Sequence, residues 1–140
     1  MILIFGGAYQ GKSDFAKKIF GLSGSDISFC HEIKTAGADG DSSRPDENFG
    51  IDFSVRAIHG LENAFLSMVR AGVEPRDFLA AHVDELHDKI LMINDISQGI
   101  VPVDPTLRAW REAVGRALLW LASESDEVYR VFCGIGEKLR

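Results

Sequence analysis

The first thirteen residues constrain the fold more than any other part of the chain. An apolar run, Ile2-Leu3-Ile4-Phe5, leads directly into Gly6-Gly7-Ala8-Tyr9-Gln10-Gly11-Lys12-Ser13, which fits the pattern G-x-x-x-x-G-K-[ST]. In that pattern the glycines let backbone N–H groups turn inward around phosphate oxygens, and the following helix presents its positive end to them. The segment therefore predicts a strand, a phosphate-binding loop (P-loop) and a helix. The alternative is an ordinary glycine-rich turn between a strand and a helix.

The loop also carries two side chains with defined chemical roles. The backbone of residues 6–13 is expected to bind the phosphates of ATP or GTP. Lys12 is expected to reach the β- and γ-phosphates and to stabilise charge on the transferred phosphoryl group. The Ser13 hydroxyl is expected to ligate Mg²⁺. The sequence therefore predicts a magnesium–nucleotide site, with Lys12 as a catalytic residue.

A P-loop enzyme needs an acid that holds Mg²⁺ or its waters at the end of a neighbouring strand. Asp95 follows the apolar run at 90–94, the pattern of a Walker B strand, and is the main candidate for this metal and catalytic role. The alternative is that Asp95 starts a loop and is held by local backbone hydrogen bonds. Asp52 is the weaker candidate, because the apolar run before it is short.

Alternating patterns along the rest of the chain predict an α/β fold. We expect a single P-loop NTPase-like domain over 1–140, with a mainly parallel sheet flanked by helices. The segment at 35–50, rich in glycine and small polar residues, is predicted to be a flexible loop that is mobile or closes over a ligand. Strands are predicted at 2–5, 27–30, 51–53, 89–94 and 128–133, with 137–140 pairing back, and helices at 11–22, 54–71, 74–87 and 104–123.

Composition excludes several classes of protein. Lys and Arg total 15 against 21 Asp and Glu, a net charge of −6, so a nucleic-acid-binding role is not expected. The sequence has no apolar run of the length that a membrane span needs, and no pattern of a signal peptide. Its 2 cysteines have no metal-ligand spacing. We expect a cytoplasmic protein with reduced thiols.

Three further segments carry a more specific pattern. Residues 94–102 are NDISQGIVP, residues 111–116 are REAVGR, and residues 126–136 are DEVYRVFCGIG. With the loop at 6–13, they resemble the adenosylcobinamide kinase/adenosylcobinamide-phosphate guanylyltransferase family. In that family the loop corresponds to an opening G-G-x-x-x-G-K-S, and residues 94–102 correspond to N-E-V-G-x-G-I-V-P. Residues 111–116 correspond to the helix that follows this segment, and residues 126–136 correspond to D-E-V-x-x-V-x-x-G-I-G. The resemblance covers about half the chain, in matching order.

Members of that family phosphorylate the aminopropanol hydroxyl of adenosylcobinamide, then take GMP from GTP onto a histidine and pass it to the new phosphate. The resemblance implies that residues 6–13 bind nucleotide, that Asp95 matches the family's acid, and that a corrinoid is the second ligand. It also implies a homo-oligomer. The run Leu118-Leu119-Trp120-Leu121 supports this, because four successive large apolar residues cover most directions around a helix.

Transfer of GMP through the family's histidine is not expected in this chain. The family's guanylylated histidine belongs to an H-x-x-x-R-P pattern, whereas here Gly40 stands four residues before Arg44-Pro45. His31 is the candidate substitute, and surface or structural roles are predicted for the other three, His59, His82 and His87. The sequence thus predicts a kinase-like transferase of cobalamin biosynthesis that transfers a phosphoryl group to adenosylcobinamide or a related corrinoid. The alternative is a non-catalytic nucleotide-binding regulatory or assembly protein.

Overall fold

A computed structural model describes residues 1–33 and 47–140. Within these residues the structure has six strands and five α-helices. The strands are β1 (Ile2–Gly6), β2 (Ile27–Phe29), β3 (Ala57–His59), β4 (Ile90–Asn94), β5 (Glu127–Phe132) and β6 (Ile135–Lys138). The α-helices are α1 (Lys12–Phe20), α2 (Leu61–Arg70), α3 (Pro75–Ala81), α4 (Val83–Leu86) and α5 (Pro105–Glu124), and a 3-10 helix spans Gly24–Asp26.

The strands form one sheet in the order β2-β3-β4-β1-β5-β6. Neighbouring strands from β2 to β5 are parallel, and only the β5–β6 pair is antiparallel. This confirms the predicted α/β class with a mainly parallel sheet flanked by helices, as in a P-loop NTPase-like domain. Because parallel neighbours end at the same edge, the ends of β1, β2, β3 and β4 meet beside the Gly6–Ser13 loop.

The two faces of the sheet bury different side chains because successive residues of a strand point to opposite sides. On β4, Leu91 and Ile93 join a core that includes residues of α2, α3 and α5. Ile90 and Met92 join the smaller core beneath α1. The loop and α1 therefore lie on the same face of the sheet as Met92. Side chains on this face of β4 point towards the loop, and those on the other face do not.

The segment 51–71 differs from the sequence prediction. Residues 51–53 do not form a strand: the Ile51 N–H donates to the Asn48 carbonyl at 2.9 Å, which closes a turn. The predicted helix at 54–71 is instead β3 followed by α2, separated by Gly60 at φ 80°. Pairing of β3 between β2 and β4 overrides the local helical periodicity, because it buries Ala57 and Ile58 completely.

Other boundaries differ less. The predicted helix at 74–87 is divided into α3 and α4 at His82. Most of the predicted loop at 35–50 lies outside the described residues, and the described part, 47–50, forms turns. No described helix combines the length and the apolar character needed to cross a bilayer. The assignment of 1–140 to a single domain stays a prediction.

Candidate nucleotide site

A cavity of about 630 Å³ opens between the Gly6–Ser13 loop and the ends of the strands on its side of the sheet. One wall is the loop and the start of α1. The other wall is formed by the ends of β2, β3 and β4 and by the first turn of α2. Its lining residues are Ala8, Tyr9, Gln10, Gly11, Lys12, Ser13, Asp14, Phe29, Cys30, His31, His59, Gly60, Glu62, Asn63 and Asn94.

The loop takes its shape from two glycines and from the turn between β5 and β6. At Gly6 a Cβ atom would lie 2.2 Å from the Val131 carbonyl oxygen, so no larger residue fits there. Gly11, at φ 85°, turns the chain into α1. The Gln10 side chain accepts from the Cys133 N–H at 2.7 Å, and the Gln10 carbonyl accepts from the Gly134 N–H at 2.8 Å. These contacts tie the loop to the turn between β5 and β6.

Lys12 is buried at the floor of the cavity. Its Nζ donates to the Gly7 carbonyl at 2.6 Å and to the Gly6 carbonyl at 3.2 Å. Desolvation lowers the pKa of Lys12, and the negative charge of Glu62 opposes that shift. The structure thus places a cation inside the loop, close to backbone groups that the sequence assigns to phosphate binding.

Glu62 is a site residue that the sequence analysis missed. It lies in the first turn of α2, is only 3% exposed, and lines the same cavity as Lys12. Asn94 holds both of its carboxylate oxygens, through its Nδ2 group at 2.5 Å and its backbone N–H at 3.0 Å. The wrong assignment of 54–71 to one helix hid this residue, because its place beside the loop depends on β3 ending at His59.

His59 is the second residue that the sequence analysis misplaced. It ends β3 and lines the cavity, whereas the sequence analysis placed it within the predicted helix at 54–71 and gave it a surface or structural role. Burial, and secondarily the positive charge of Lys12, lowers the pKa of His59 to about 4. Its ring packs edge-on against Phe29, with the ring centroids 5.0 Å apart. His31 lines the same wall in an exposed position, as its place after β2 suggested.

The buried thiol of Cys30 completes this wall. Burial, and secondarily the negative charge of Glu62, raises the pKa of Cys30 to about 12, so the thiol is protonated near neutral pH. The Cys30 N–H donates to the His59 carbonyl at 2.8 Å, and the Cys30 carbonyl accepts from the Asn63 side chain at 3.2 Å. These bonds join the end of β2 to β3 and α2.

Asp95 does not line the cavity. It comes directly after Asn94, and the alternation of side chains along β4 directs the two residues to opposite faces of the sheet. Asp95 lines a separate groove with Leu3 and Phe5 on the α5 side. Its carboxylate accepts from the Ser97 N–H at 2.9 Å and the Ser97 hydroxyl at 2.5 Å, the local arrangement that the sequence analysis gave as the alternative. Its assigned metal role stays a prediction.

Asp52 also lies outside the cavity lining. It is exposed, and its carboxylate accepts from the Ser54 N–H at 2.8 Å and the Ser54 hydroxyl at 2.6 Å. These hydrogen bonds lower the pKa of Asp52. The structure therefore does not bring this candidate acid together with Lys12 and Ser13.

The cavity offers oxygen donors suited to Mg²⁺ bound to a nucleotide. Within 1–33 and 47–140 no cluster of three or more His, Cys, Asp or Glu residues could hold a metal ion by itself. Nucleotide-bound Mg²⁺ needs fewer protein ligands, because phosphates and waters supply most of its six oxygens. The Ser13 hydroxyl and the Glu62 carboxylate both line the cavity and fit that requirement.

Comparison with known proteins gives a match over the second half of this architecture. The sequence model of the cobinamide kinase / cobinamide phosphate guanyltransferase family (CobU) matches residues 62–139, more than half of the chain. The bifunctional adenosylcobalamin biosynthesis protein CobU of Salmonella typhimurium is 32% identical over 77 residues, which cover 54% of this chain and 42% of that relative. The chain thus matches less than half the length of this curated relative. It belongs to the cobinamide kinase / cobinamide phosphate guanyltransferase family.

Proposed function

We propose that the protein binds ATP or GTP with Mg²⁺ and transfers a phosphoryl group to a hydroxyl of adenosylcobinamide or a related corrinoid, as a step of cobalamin biosynthesis. The observation that carries the proposal is the cavity itself. It joins residues 8–13 of the loop, including the cation of Lys12, to a second wall at the ends of β2, β3 and β4, the edge of a parallel sheet at which ligands bind. Family membership supports the corrinoid, because the names of the family and of the Salmonella relative specify cobinamide and adenosylcobalamin.

The residues divide the chemistry between positioning and charge stabilisation. The loop N–H groups and the start of α1 bind the phosphates, and Lys12 offsets the negative charge that develops on the phosphoryl oxygens. The Ser13 hydroxyl would hold Mg²⁺, which would supply positive charge to the phosphates. Asp95, the acid that the sequence pattern favours, is one candidate for supporting Mg²⁺, although it lines the groove on the other face of the sheet.

Guanylyl transfer through a histidine is not part of this proposal. The residues at the place of the family's H-x-x-x-R-P pattern, Gly40 and Arg44-Pro45, lie outside the described part of the chain. Gly40 supplies no nitrogen nucleophile. His31 and His59 line the cavity, so labelling with α-labelled GTP in wild type, His31→Ala and His59→Ala is the direct check for a new nucleophile.

The Lys12→Ala variant tests nucleotide binding. Removing this cation should weaken Mg²⁺–nucleotide affinity roughly tenfold to a hundredfold, since hydrogen bonds to charged groups contribute about 1.5–3 kcal/mol. Calorimetric titration with ATP and with GTP measures the loss and also gives the nucleotide preference. Lys18→Ala, which removes an exposed cation from the same helix, is the matched control. Unchanged affinity in Lys12→Ala would contradict the assignment.

Turnover separates the enzyme from its alternative. With adenosylcobinamide present, nucleotide consumption should rise and mass spectrometry should detect a corrinoid heavier by one phosphoryl group. Nucleotide binding without any corrinoid-dependent turnover would favour a non-catalytic regulatory or assembly protein. That alternative is retained because the chain matches only 42% of the Salmonella relative.

A further inference from the structure

Glu62 is a buried carboxylate with spare hydrogen-bonding capacity inside the candidate site. It is 3% exposed and lines the cavity with Lys12 and Ser13. An ionised carboxylate offers about four acceptor positions. Among the residues that the structure describes, the side chain accepts two hydrogen bonds, both from Asn94, and they use one position on each oxygen. Each oxygen therefore keeps an acceptor position for a cation or a water bound to one.

Burying a carboxylate costs free energy unless something compensates for it. Part of that compensation is the nearby positive charge of Lys12, which interacts electrostatically with Glu62. Another part is the start of α2, where the positive end of the helix dipole favours a negative charge in the first turn. The two hydrogen bonds from Asn94 also fix the direction of the carboxylate. A fixed, compensated carboxylate is suited to a magnesium ion, whose octahedral geometry tolerates little displacement of its ligands.

The rival acid, Asp95, is placed differently. It lies past the end of β4 on the α5 side of the sheet, and its Oδ1 atom is engaged by two groups of Ser97. The residue before it, Asn94, is the one that lines the cavity. The residue that β4 contributes to the cavity is therefore Asn94, and it positions the carboxylate of Glu62, which belongs to α2.

From this arrangement we propose that Glu62, and not the residue that follows β4, is the acid that supports the nucleotide-bound Mg²⁺, directly or through one of its waters. This inference rests on the proposed nucleotide-binding function. Glu62 comes from the helix after β3, and Asn94 acts as a positioning residue that holds its carboxylate.

The test is the gain in nucleotide affinity that Mg²⁺ produces, measured by calorimetry in Mg²⁺ and in EDTA. In Glu62→Gln this gain should fall roughly tenfold or more, as for residues that tune metal affinity, while affinity in EDTA is not weakened. Glu124→Gln, at the exposed end of α5, is the matched control and should keep the full gain. Asp95→Asn tests the competing acid. It should reduce the Mg²⁺-dependent gain in nucleotide affinity less than Glu62→Gln does.

A measurement on the wild type keeps the inference testable if Glu62→Gln does not fold. In the complex with nucleotide and Mn²⁺, paramagnetic broadening should affect the side-chain amide of Asn94, the donor to Glu62, more than the backbone amide of Ser97, the donor to Asp95. The reverse order would overturn the inference, as would a full Mg²⁺ gain in folded Glu62→Gln. A wild type without Mg²⁺-dependent nucleotide binding would instead overturn the proposed function, and this inference with it.

Discussion

At the scale of single residues, burial acts on Lys12 and His59 in the same direction, because both line one cavity and the protonated form of each is the charged one. Desolvation lowers the pKa of each. Lys12 has Glu62 as a compensating charge, whereas His59 has Lys12 as a like charge. The imidazole of His59 is therefore neutral near neutral pH, and the cavity wall beside β3 is uncharged at that position.

The pH dependence of folding should report the state of His59. Its pKa is about 4 in the folded chain against 6.5 in the unfolded one, so the unfolded chain takes up the proton first as pH falls. The free energy of unfolding of the wild type should therefore fall by roughly 1–2 kcal/mol more than that of His59→Gln between pH 7 and pH 5, after a discount for the partial exposure of the ring. Urea denaturation at the two pH values measures this.

Side-chain NMR provides an independent reading of the same group. The imidazole signal that disappears in His59→Gln should titrate with a midpoint near 4. A midpoint near 6.5 would show that the ring is solvated and that the cavity wall is charged at pH 6.

At the scale of elements, α5 starts as its sequence predicts. Asp104 accepts from the Thr106 N–H at 2.7 Å and from the Leu107 N–H at 3.4 Å, and Pro105 stands at the first helical position. These are local interactions between neighbours in sequence, which explains why this boundary is predictable from the chain alone.

Removing the cap should have a limited, measurable cost. Asp104→Ala should lower the free energy of unfolding by about 1 kcal/mol, because it leaves helix N–H groups without a partner. Asp104→Asn should keep most of the stability, since an amide oxygen caps equally well. Urea denaturation of the three proteins measures both effects. Equal losses in the two variants would mean that the charge of Asp104, and not its capping geometry, stabilises α5.

β3 shows where element prediction from the sequence failed. The apolar spacing over 54–71 is compatible with a helix throughout, and a strand of three residues is too short to impose a period of its own. Ala57–His59 forms a strand because β2 and β4, far away in the sequence, supply backbone hydrogen bonds on both of its edges. No local pattern carries that information.

At the scale of the whole molecule, large apolar side chains are exposed around α5 and the segment before it. The four residues Leu118–Leu121 divide as a helix requires: Leu121 is buried, Leu118 and Trp120 are half-buried, and Leu119 is 76% exposed. Leu119 borders an apolar groove of about 260 Å³. Ile100 and Val103 are 96% and 92% exposed. Large exposed apolar side chains beside an apolar groove are typical of protein–protein contacts.

The expected homo-oligomer is testable on this surface. Light scattering coupled to size-exclusion chromatography should give a mass above that of one chain at micromolar concentration. Leu119→Glu should shift the protein towards the monomer, because a charge would be buried in the contact. Ile19→Glu, at a 51% exposed position on α1, changes the other side of the sheet and should leave the mass unchanged. A wild-type monomer under these conditions would contradict the prediction.

The sequence by itself determined the α/β class and the start and cap of α5, and it placed a lysine at the floor of a strand–loop–helix junction. These depend on neighbours in the chain: an apolar run, a glycine that permits the turn at Gly11, and a helix that begins at Lys12. The family resemblance also came from contiguous segments, and the family match confirms it. Such features are readable because their interactions span a few residues.

Only the tertiary structure decided which acid and which histidines face the loop. The pairing of Glu62 with Asn94 joins residues 32 apart in sequence, and it depends on β3 lying beside β4. Asp95 has the sequence pattern of a site residue, yet side-chain alternation along β4 directs it to the opposite face of the sheet. The physical reason is that a residue's type follows from the chain, whereas the face to which it points depends on which strands pair and in which register.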